Sequence, residues 1–198
     1  FFKRLPGLSP EDQFLLEFAY DVAKEGHGYM NQVRDGGERH FEHVRSVALI
    51  LIDVFGIRDI NILIPALFHD LPEDTYIWKV PGRITHVFGK VIGSRAHVLA
   101  KPDKTKFSTK EKHLFFYFDQ VKTNGWEVCL IKVADRIHNL GSMDSGSWST
   151  EKQHGYVLET ERYFLDAINI IYTSNKELGD KARVKIFEAI NNVKQKNK

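Results

Sequence analysis

The residues most suited to metal chemistry are His69 and Asp70, which directly follow the apolar helical run Ala66 to Phe68. Placing an imidazole and a carboxylate against apolar surface is costly unless the two groups are paired or ligated. Neutral imidazole and carboxylate oxygen are both good ligands for a divalent metal. A His-Asp dipeptide often occurs by chance, so the prediction of a metal site needs further ligand residues.

Two other stretches supply such residues. His43 opens an apolar stripe, and Asp135 ends another apolar helical run, with Asn139 four residues further on the same helix face. Three helices would then each offer an imidazole or an acid at the edge of one core. We predict that His43, His69, Asp70 and Asp135 converge on a single divalent ion.

The elements that must position these groups read as a row of helices, because apolar residues recur at helical spacing along most of the chain. A helix beginning at Ser9-Pro10 is expected to end at Gly26 or Gly28, and 78–83 is at most a short hairpin. Further helices are predicted at about 40–55, 59–71, 84–100 (one or two), 109–122, 127–140, 151–172 and 180–193. The predicted fold class is an all-α bundle, with any polar site between facing helices.

The length, composition and charge of the chain limit the classes of function open to it. The chain has 198 residues, which is about one domain, and its net charge of +2 argues against bulk nucleic-acid binding. The single cysteine, Cys129, excludes an intrachain disulfide, and no apolar stretch is long enough to span a membrane. We expect a soluble, cytoplasmic protein with a small-molecule partner. Because the chain begins at Phe1 without an initiator Met, we expect the numbering to describe a fragment.

Three blocks of the sequence resemble the HD phosphohydrolase superfamily, whose signature is His…His-Asp…Asp. The segments Gln32 to His43, Ala66 to Thr75 and Ile131 to Leu140 resemble one branch in particular. This branch comprises the (p)ppGpp hydrolases of the RelA/SpoT type and their small stand-alone homologues, including the metazoan ones. The likeness runs from about residue 14 to 172, and the three segments occur in the same order as in that branch.

The resemblance implies a single HD phosphohydrolase domain over residues 1–198, with its core at about 10–193. It implies an Mn²⁺-dependent hydrolase that converts ppGpp or pppGpp to GDP or GTP plus pyrophosphate. The choice of Mn²⁺ comes from the family, because Zn²⁺ should bind such ligands more tightly. The length leaves no room for the synthetase part of the large bifunctional members, so we expect hydrolysis only.

The resemblance also suggests roles for residues outside the ligand set. Glu73 and Asp74, four residues after His69 and Asp70, would form the acid/base pair. Arg34 would contact the base, Asn139 the ribose, and Tyr156 would line the nucleotide pocket. Lys104, with Lys101 and Lys110, would either meet phosphates or form a solvated basic loop.

Several positions depart from the family pattern and leave alternatives open. Pro72 disfavours helical geometry at Leu71 and could displace Glu73, which would leave a catalytically silent nucleotide sensor. Asp35 and Gly141 remove positive charge from the phosphate side, which would suit another substrate such as an adenosine alarmone or NADPH. His27 and His40 are interpreted as surface or loop residues, although His40 could orient His43.

Overall fold

The computed structural model describes residues 1–29, 37, 39–143 and 148–196, and these residues are mostly helical. The helices are α1 Pro10–Tyr29, α2 His40–Asp53, α3 Ile60–Phe68, α4 Leu71–Asp74, α5 Arg83–Phe88, α6 Lys90–Leu99, α7 Lys110–Thr123, α8 Trp126–Gly141, α9 Thr150–Ser174 and α10 Lys176–Lys196. The predicted all-α class is confirmed. Within the described ranges there is no β-strand, and the segment considered for a hairpin forms turns. Among these same residues, no helix combines the length and apolarity needed to cross a lipid bilayer.

Helix α8 is the centre of the bundle. Every residue from 128 to 136 is buried, because α2, α3, α6, α7, α9 and α10 all pack around it. A helix that is covered on all sides must be apolar on all sides unless its polar groups are paired. The polar residues Lys132 and Asp135 therefore lie in the interior of the molecule.

Helix α3 is apolar along its length and contains Pro65, which removes the backbone donor that would bond to the carbonyl of Asn61. The freed carbonyl accepts a hydrogen bond of 2.6 Å from Nη1 of Arg95, whose other terminal nitrogen pairs with Glu127. Arg95 thereby ties α3 to α6 and α8. Arg95 thus supplies the hydrogen bond to the Asn61 carbonyl that Pro65 cannot make.

Helix α1 continues through both glycines to Tyr29, so the predicted end at Gly26 or Gly28 is wrong. The physical reason for a glycine at 26 is close packing against α4. A Cβ atom on Gly26 would lie 2.8 Å from Cδ1 of Leu71. Here glycine allows two helices to approach and does not mark a helix end.

The α5–α6 crossing depends on Gly93 in the same way. A Cβ on Gly93 would lie 2.5 Å from Cα and 2.7 Å from the backbone nitrogen of Thr85. We expect Gly93→Ala to lower the free energy of unfolding by about 1–3 kcal/mol, measured by urea denaturation, because backbone atoms must shift. The matched control is Gly155→Ala in α9, where a Cβ meets nothing within 4 Å. That change should stabilise by about 0.5–1 kcal/mol through helix propensity. A Gly93→Ala protein as stable as the wild type would contradict this reading of the crossing.

Candidate metal centre and adjoining cavities

Four of the predicted site residues come together from three elements. His43 projects from the first turn of α2, His69 and Asp70 lie at the junction of α3 and α4, and Asp135 projects from α8. Nε2 of His43 lies 3.1 Å from Nε2 of His69 and 3.2 Å from Oδ1 of Asp135. Oδ2 of Asp70 lies 3.3 Å from Nε2 of His69 and 3.7 Å from Nε2 of His43. We call these four residues the ligand cluster.

The spacing of the ligand cluster suits one divalent cation. Donor atoms held about 2.0–2.2 Å from an ion at tetrahedral or octahedral angles lie about 2.8–3.6 Å from one another. The two imidazole planes cross at 69°, so their lone pairs can point toward a common centre. Two nitrogens and two carboxylate oxygens form a donor set that several divalent transition metals accept. The residues present therefore fit the divalent metal that the cluster predicts.

The protonation behaviour of the two imidazoles is set by their surroundings. Burial lowers the pKa of His43 to about 3, although the neighbouring Asp135 acts in the opposite direction, so the ring is neutral and can ligate. Burial also acts to lower the pKa of His69, but Asp70 and Asp135 raise it above the ordinary value. The carboxylates thus favour a positive charge among the four donors, whether a proton or a cation.

Each imidazole is oriented through its second nitrogen. Nδ1 of His69 donates to the carbonyl of Ala66 at 2.8 Å, which leaves Nε2 directed at the cluster. Nδ1 of His43 lies 2.9 Å from Nδ1 of His138. His138 therefore contacts a ligand without joining the cluster.

Asp135 is held by a buried lysine that the sequence interpretation missed. Nζ of Lys132 bonds to Oδ2 of Asp135, while the amide of Asn139 donates to Oδ1 at 2.6 Å. Burial alone would raise the pKa of Asp135, but Lys132 and His43 hold it well below the usual range. Because Lys132 lies in an apolar helical run three residues before Asp135, its need for a partner was a signal that sequence could have given.

Pro72 is accommodated in the first turn of α4, where helix N–H groups have no intrahelical partner. The next two backbone N–H groups, those of Glu73 and Asp74, both donate to the carbonyl of Asp70, at 3.1 and 3.0 Å. Oε1 of Glu73 accepts a 2.6 Å hydrogen bond from the backbone N–H of Lys101. Burial, followed by the charge of Asp70, raises the pKa of both Glu73 and Asp74. Leu71 to Asp74 form a regular turn, but the helix predicted at about 59–71 is interrupted between Phe68 and Leu71, directly before Pro72.

The interpretation of His27 and His40 as surface residues is wrong. His27 is buried and His40 is partly buried. Nε2 of His40 lies 3.0 Å from Oδ2 of Asp70 and 3.1 Å from Oδ2 of Asp74. The two imidazoles are stacked, with centroids 4.6 Å apart.

A cavity of about 790 Å³ combines aromatic and basic side chains, and we call it the aromatic–basic cavity. Tyr156 lies in its wall with its ring edge-on to Trp148, at a centroid distance of 5.4 Å. The guanidinium of the buried Arg136 covers the Tyr156 ring at 3.7 Å from its centroid and is paired with Glu159. The basic side chains around this cavity are those of Lys101, Lys104, Lys110, His113 and Lys152.

A second cavity, of about 800 Å³, shares Lys101, Lys104 and His113 with the first and is also lined by Glu73. We call it the Glu73 cavity. Lys79 and Lys106 add positive charge to its wall. Glu73 thus faces a basic, solvent-accessible space beside the ligand cluster.

The predicted substrate-binding residues do not all meet. Lys104 and Tyr156 both line the aromatic–basic cavity. Asn139 bonds to Asp135 and lines neither cavity. Arg34 lies outside the residues that the structure describes, and its predicted contact with the base stays a prediction.

Comparison with known proteins places these observations in a family. Residues 19–165 match the family model described as HD domain. The chain is 32% identical over 182 residues to the bifunctional (p)ppGpp synthase/hydrolase SpoT of Escherichia coli K12, covering 87% of this chain and 25% of the relative. It is 30% identical over 155 residues to a probable guanosine-3′,5′-bis(diphosphate) 3′-pyrophosphohydrolase of Synechocystis, covering 77% and 19% respectively. The chain spans about a quarter of the length of the first of these relatives.

A solved structure agrees on the fold. It is described as a metazoan ortholog of SpoT that hydrolyzes ppGpp, and it matches with a TM-score of 0.68 over 90% of this chain and 94% of that chain, at 20% identity. The predicted resemblance to SpoT-type proteins is confirmed by the sequence relatives. The chain belongs to the HD domain family.

Proposed function

We propose that this chain is a metal-dependent hydrolase that removes the 3′-diphosphate from guanosine alarmones. The reaction converts ppGpp or pppGpp to GDP or GTP plus pyrophosphate. We further propose that residues 1–198 form one HD domain with a core at about 10–193, that Mn²⁺ is the metal, and that the protein is cytoplasmic. The observation that carries the function is that the ligand cluster is followed in α4 by Glu73, whose side chain lines a lysine-rich cavity.

The sequence relatives support this substrate class. The SpoT relative of Escherichia coli is named as a (p)ppGpp synthase and hydrolase, and the Synechocystis relative as a 3′-pyrophosphohydrolase of guanosine bis(diphosphate). The choice of Mn²⁺ comes from the likeness to the SpoT branch, because the donor set itself also suits Zn²⁺.

In the proposed mechanism, His43, His69, Asp70 and Asp135 hold the metal. When bound, a divalent ion polarises a phosphoryl oxygen and acidifies a water. Lys132 keeps one oxygen of Asp135 engaged, so that the other faces the cluster. The carbonyl of Ala66 orients the His69 ring, and His138 orients the His43 ring, each through the Nδ1 atom that faces away from the cluster.

Glu73 is the proposed general base and Asp74 the proposed general acid. Glu73 accepts a proton from the water that attacks the 3′-linked phosphorus, the bond from that phosphorus to O3′ breaks, and Asp74 returns a proton to O3′. A raised pKa suits this work, because it makes a carboxylate a better proton acceptor than an ordinary surface carboxylate and keeps an acid protonated to higher pH. Because no side chain bonds covalently to the substrate in this scheme, it needs no nucleophilic residue.

The cavities supply recognition of the nucleotide. Trp148 and Tyr156 offer aromatic surface for a base, and Lys101 and Lys104 lie between the two cavities where phosphates can be reached from either side. The alternative of a silent nucleotide sensor, in which Pro72 displaces Glu73, corresponds to the outcome of no turnover in the experiment below. The alternative of a different phosphorylated nucleotide is retained as an arm of the experiment.

A substrate panel tests the proposal. EDTA-treated protein is reloaded with Mn²⁺ and given ppGpp, pppGpp, an adenosine 3′-diphosphate alarmone and NADPH, and released phosphate and pyrophosphate are measured separately. We expect pyrophosphate from the two guanosine compounds at rates at least about tenfold above the adenosine alarmone, which corresponds to 1.36 kcal/mol of discrimination. Phosphate release from NADPH as the fastest reaction, or no turnover of any compound, would contradict the proposed substrate.

A further inference from the structure

His40 lies between two carboxylates that have different proposed tasks. Its Nε2 is 3.0 Å from Oδ2 of Asp70 and 3.1 Å from Oδ2 of Asp74. The Asp70 carboxylate is ionised and only accepts hydrogen bonds, so its contact requires the ring proton on Nε2. One N–H group is therefore shared by an oxygen of the ligand cluster and an oxygen of the proposed acid/base pair.

A second cation is the competing explanation for this group, since His27, His40 and Asp74 offer donor atoms within 4.8 Å of one another. The ring geometry argues against it. The planes of His27 and His40 are 11° from parallel and their centroids are 4.6 Å apart, so their in-plane lone pairs run side by side. In contrast, the rings of His43 and His69 cross at 69°. The two stacked imidazoles do not converge on an ion.

The stack instead fixes the orientation of His40. His27 is only 2% exposed and forms a rigid platform for the partly buried ring of His40. The remaining freedom of His40 is taken up by its two carboxylate contacts. Asp70 and Asp74 lie four residues apart across the short helix α4, so a single donor can reach both.

We propose that His40 is a positioning residue that ties the Asp74 carboxylate to Asp70, and so holds Asp74 in place beside the ligand cluster. The role of Asp74 in this inference rests on the proposed function, whereas the hold on Asp70 does not. The shared N–H also offsets the repulsion between the two carboxylates once Asp74 has given up its proton. Without it, each carboxylate loses one of its contacts, and the metal ligand is less well preorganised.

The experiment compares His40→Phe, which can keep the stack on His27 but has no donor, with His40→Gln, which restores an N–H at a similar distance from the backbone. The matched control is His86→Phe, an equivalent exchange at an exposed position of α5 outside both cavities. Mn²⁺ affinity is measured by titration calorimetry on EDTA-treated protein without nucleotide, and kcat and KM are measured with ppGpp. Melting temperatures confirm that each variant is folded.

For His40→Phe we expect Mn²⁺ to bind about 10–100-fold more weakly and kcat to fall by about 10–100-fold with KM within threefold, the range found for groups that orient metal ligands. His40→Gln should recover a large part of both losses. A role confined to packing would instead lower the melting temperature and leave Mn²⁺ affinity and kcat unchanged.

Three results would overturn the inference. They are unchanged Mn²⁺ affinity and kcat in His40→Phe, a Gln variant no better than the Phe variant, or a stoichiometry of two Mn²⁺ per wild-type chain that falls to one in His40→Phe. The nucleotide-free affinity separates this inference from the proposed function. A wild-type protein inactive toward every nucleotide would refute the function, while weaker Mn²⁺ binding in His40→Phe would still support the positioning of Asp70.

Discussion

An Asp70→Ala variant is expected to lose Mn²⁺ binding and to hydrolyse ppGpp about a thousandfold more slowly than the wild type, or slower still. Lewis-acid stabilisation by a bound ion contributes several kcal/mol to the transition state, and each 1.36 kcal/mol is a factor of ten in rate. Asp70 is the carboxylate shared by the ligand cluster and His40. Its loss removes a ligand and also breaks the link through His40 to Asp74.

The fold should survive this change. The Asp70 side chain makes no cap hydrogen bond to α4, and its backbone conformation is right-handed helical, which alanine adopts without strain. Calorimetric Mn²⁺ binding and ppGpp turnover are the measurements, with Asp180→Ala on the exposed side of α10 as the matched control. Turnover within tenfold of the wild type in a folded Asp70→Ala protein would be incompatible with metal-dependent hydrolysis at this cluster.

The second large effect is expected from Glu73→Gln, which should lower kcat for ppGpp by about 10²–10⁴-fold, the usual contribution of a positioned acid or base. The amide oxygen of glutamine can still accept the hydrogen bond from the backbone N–H of Lys101, so the local structure is preserved. The amide cannot take a proton from water. Mn²⁺ affinity should stay within about threefold, because Glu73 is outside the ligand cluster.

The control for this exchange is Glu177→Gln, at an exposed position in the first turn of α10. The split between intact metal binding and lost turnover is the informative result. If Glu73→Gln binds Mn²⁺ normally and turns over ppGpp at the wild-type rate, Glu73 is not the base. The parallel variant Asp74→Asn would then show whether its neighbour carries that role.

The sequence predicts most helices of this bundle because apolar residues recur at helical spacing. The errors arise at glycine and proline, whose local preferences were overridden by packing. Gly26 sits inside α1 because α4 passes too close for a Cβ, and Pro65 is tolerated in α3 because Arg95 takes over the carbonyl of Asn61. Neither contact can be inferred from the segment itself, since the partner lies 34 or more residues away in sequence.

The ligand cluster was predictable for a different reason. Imidazole and carboxylate groups at the ends of apolar runs must be paired or ligated. The spacing of the family motif indicated which of these groups belong to the metal site. The environment of the cluster was not predictable in this way. Burial of His27, the stacking of His40 and the cavity around Tyr156 depend on how distant helices cross. Lys132 left a local sign, as a cation within an apolar helical run.

The most direct test of the account is the location of the metal itself. Crystals of the EDTA-treated protein soaked in Mn²⁺ should be measured above and below the manganese absorption edge. We predict one anomalous difference peak, enclosed by His43, His69, Asp70 and Asp135, with none between His27 and His40. A peak elsewhere, or no peak in protein that binds Mn²⁺ in solution, would contradict the proposed ligand set.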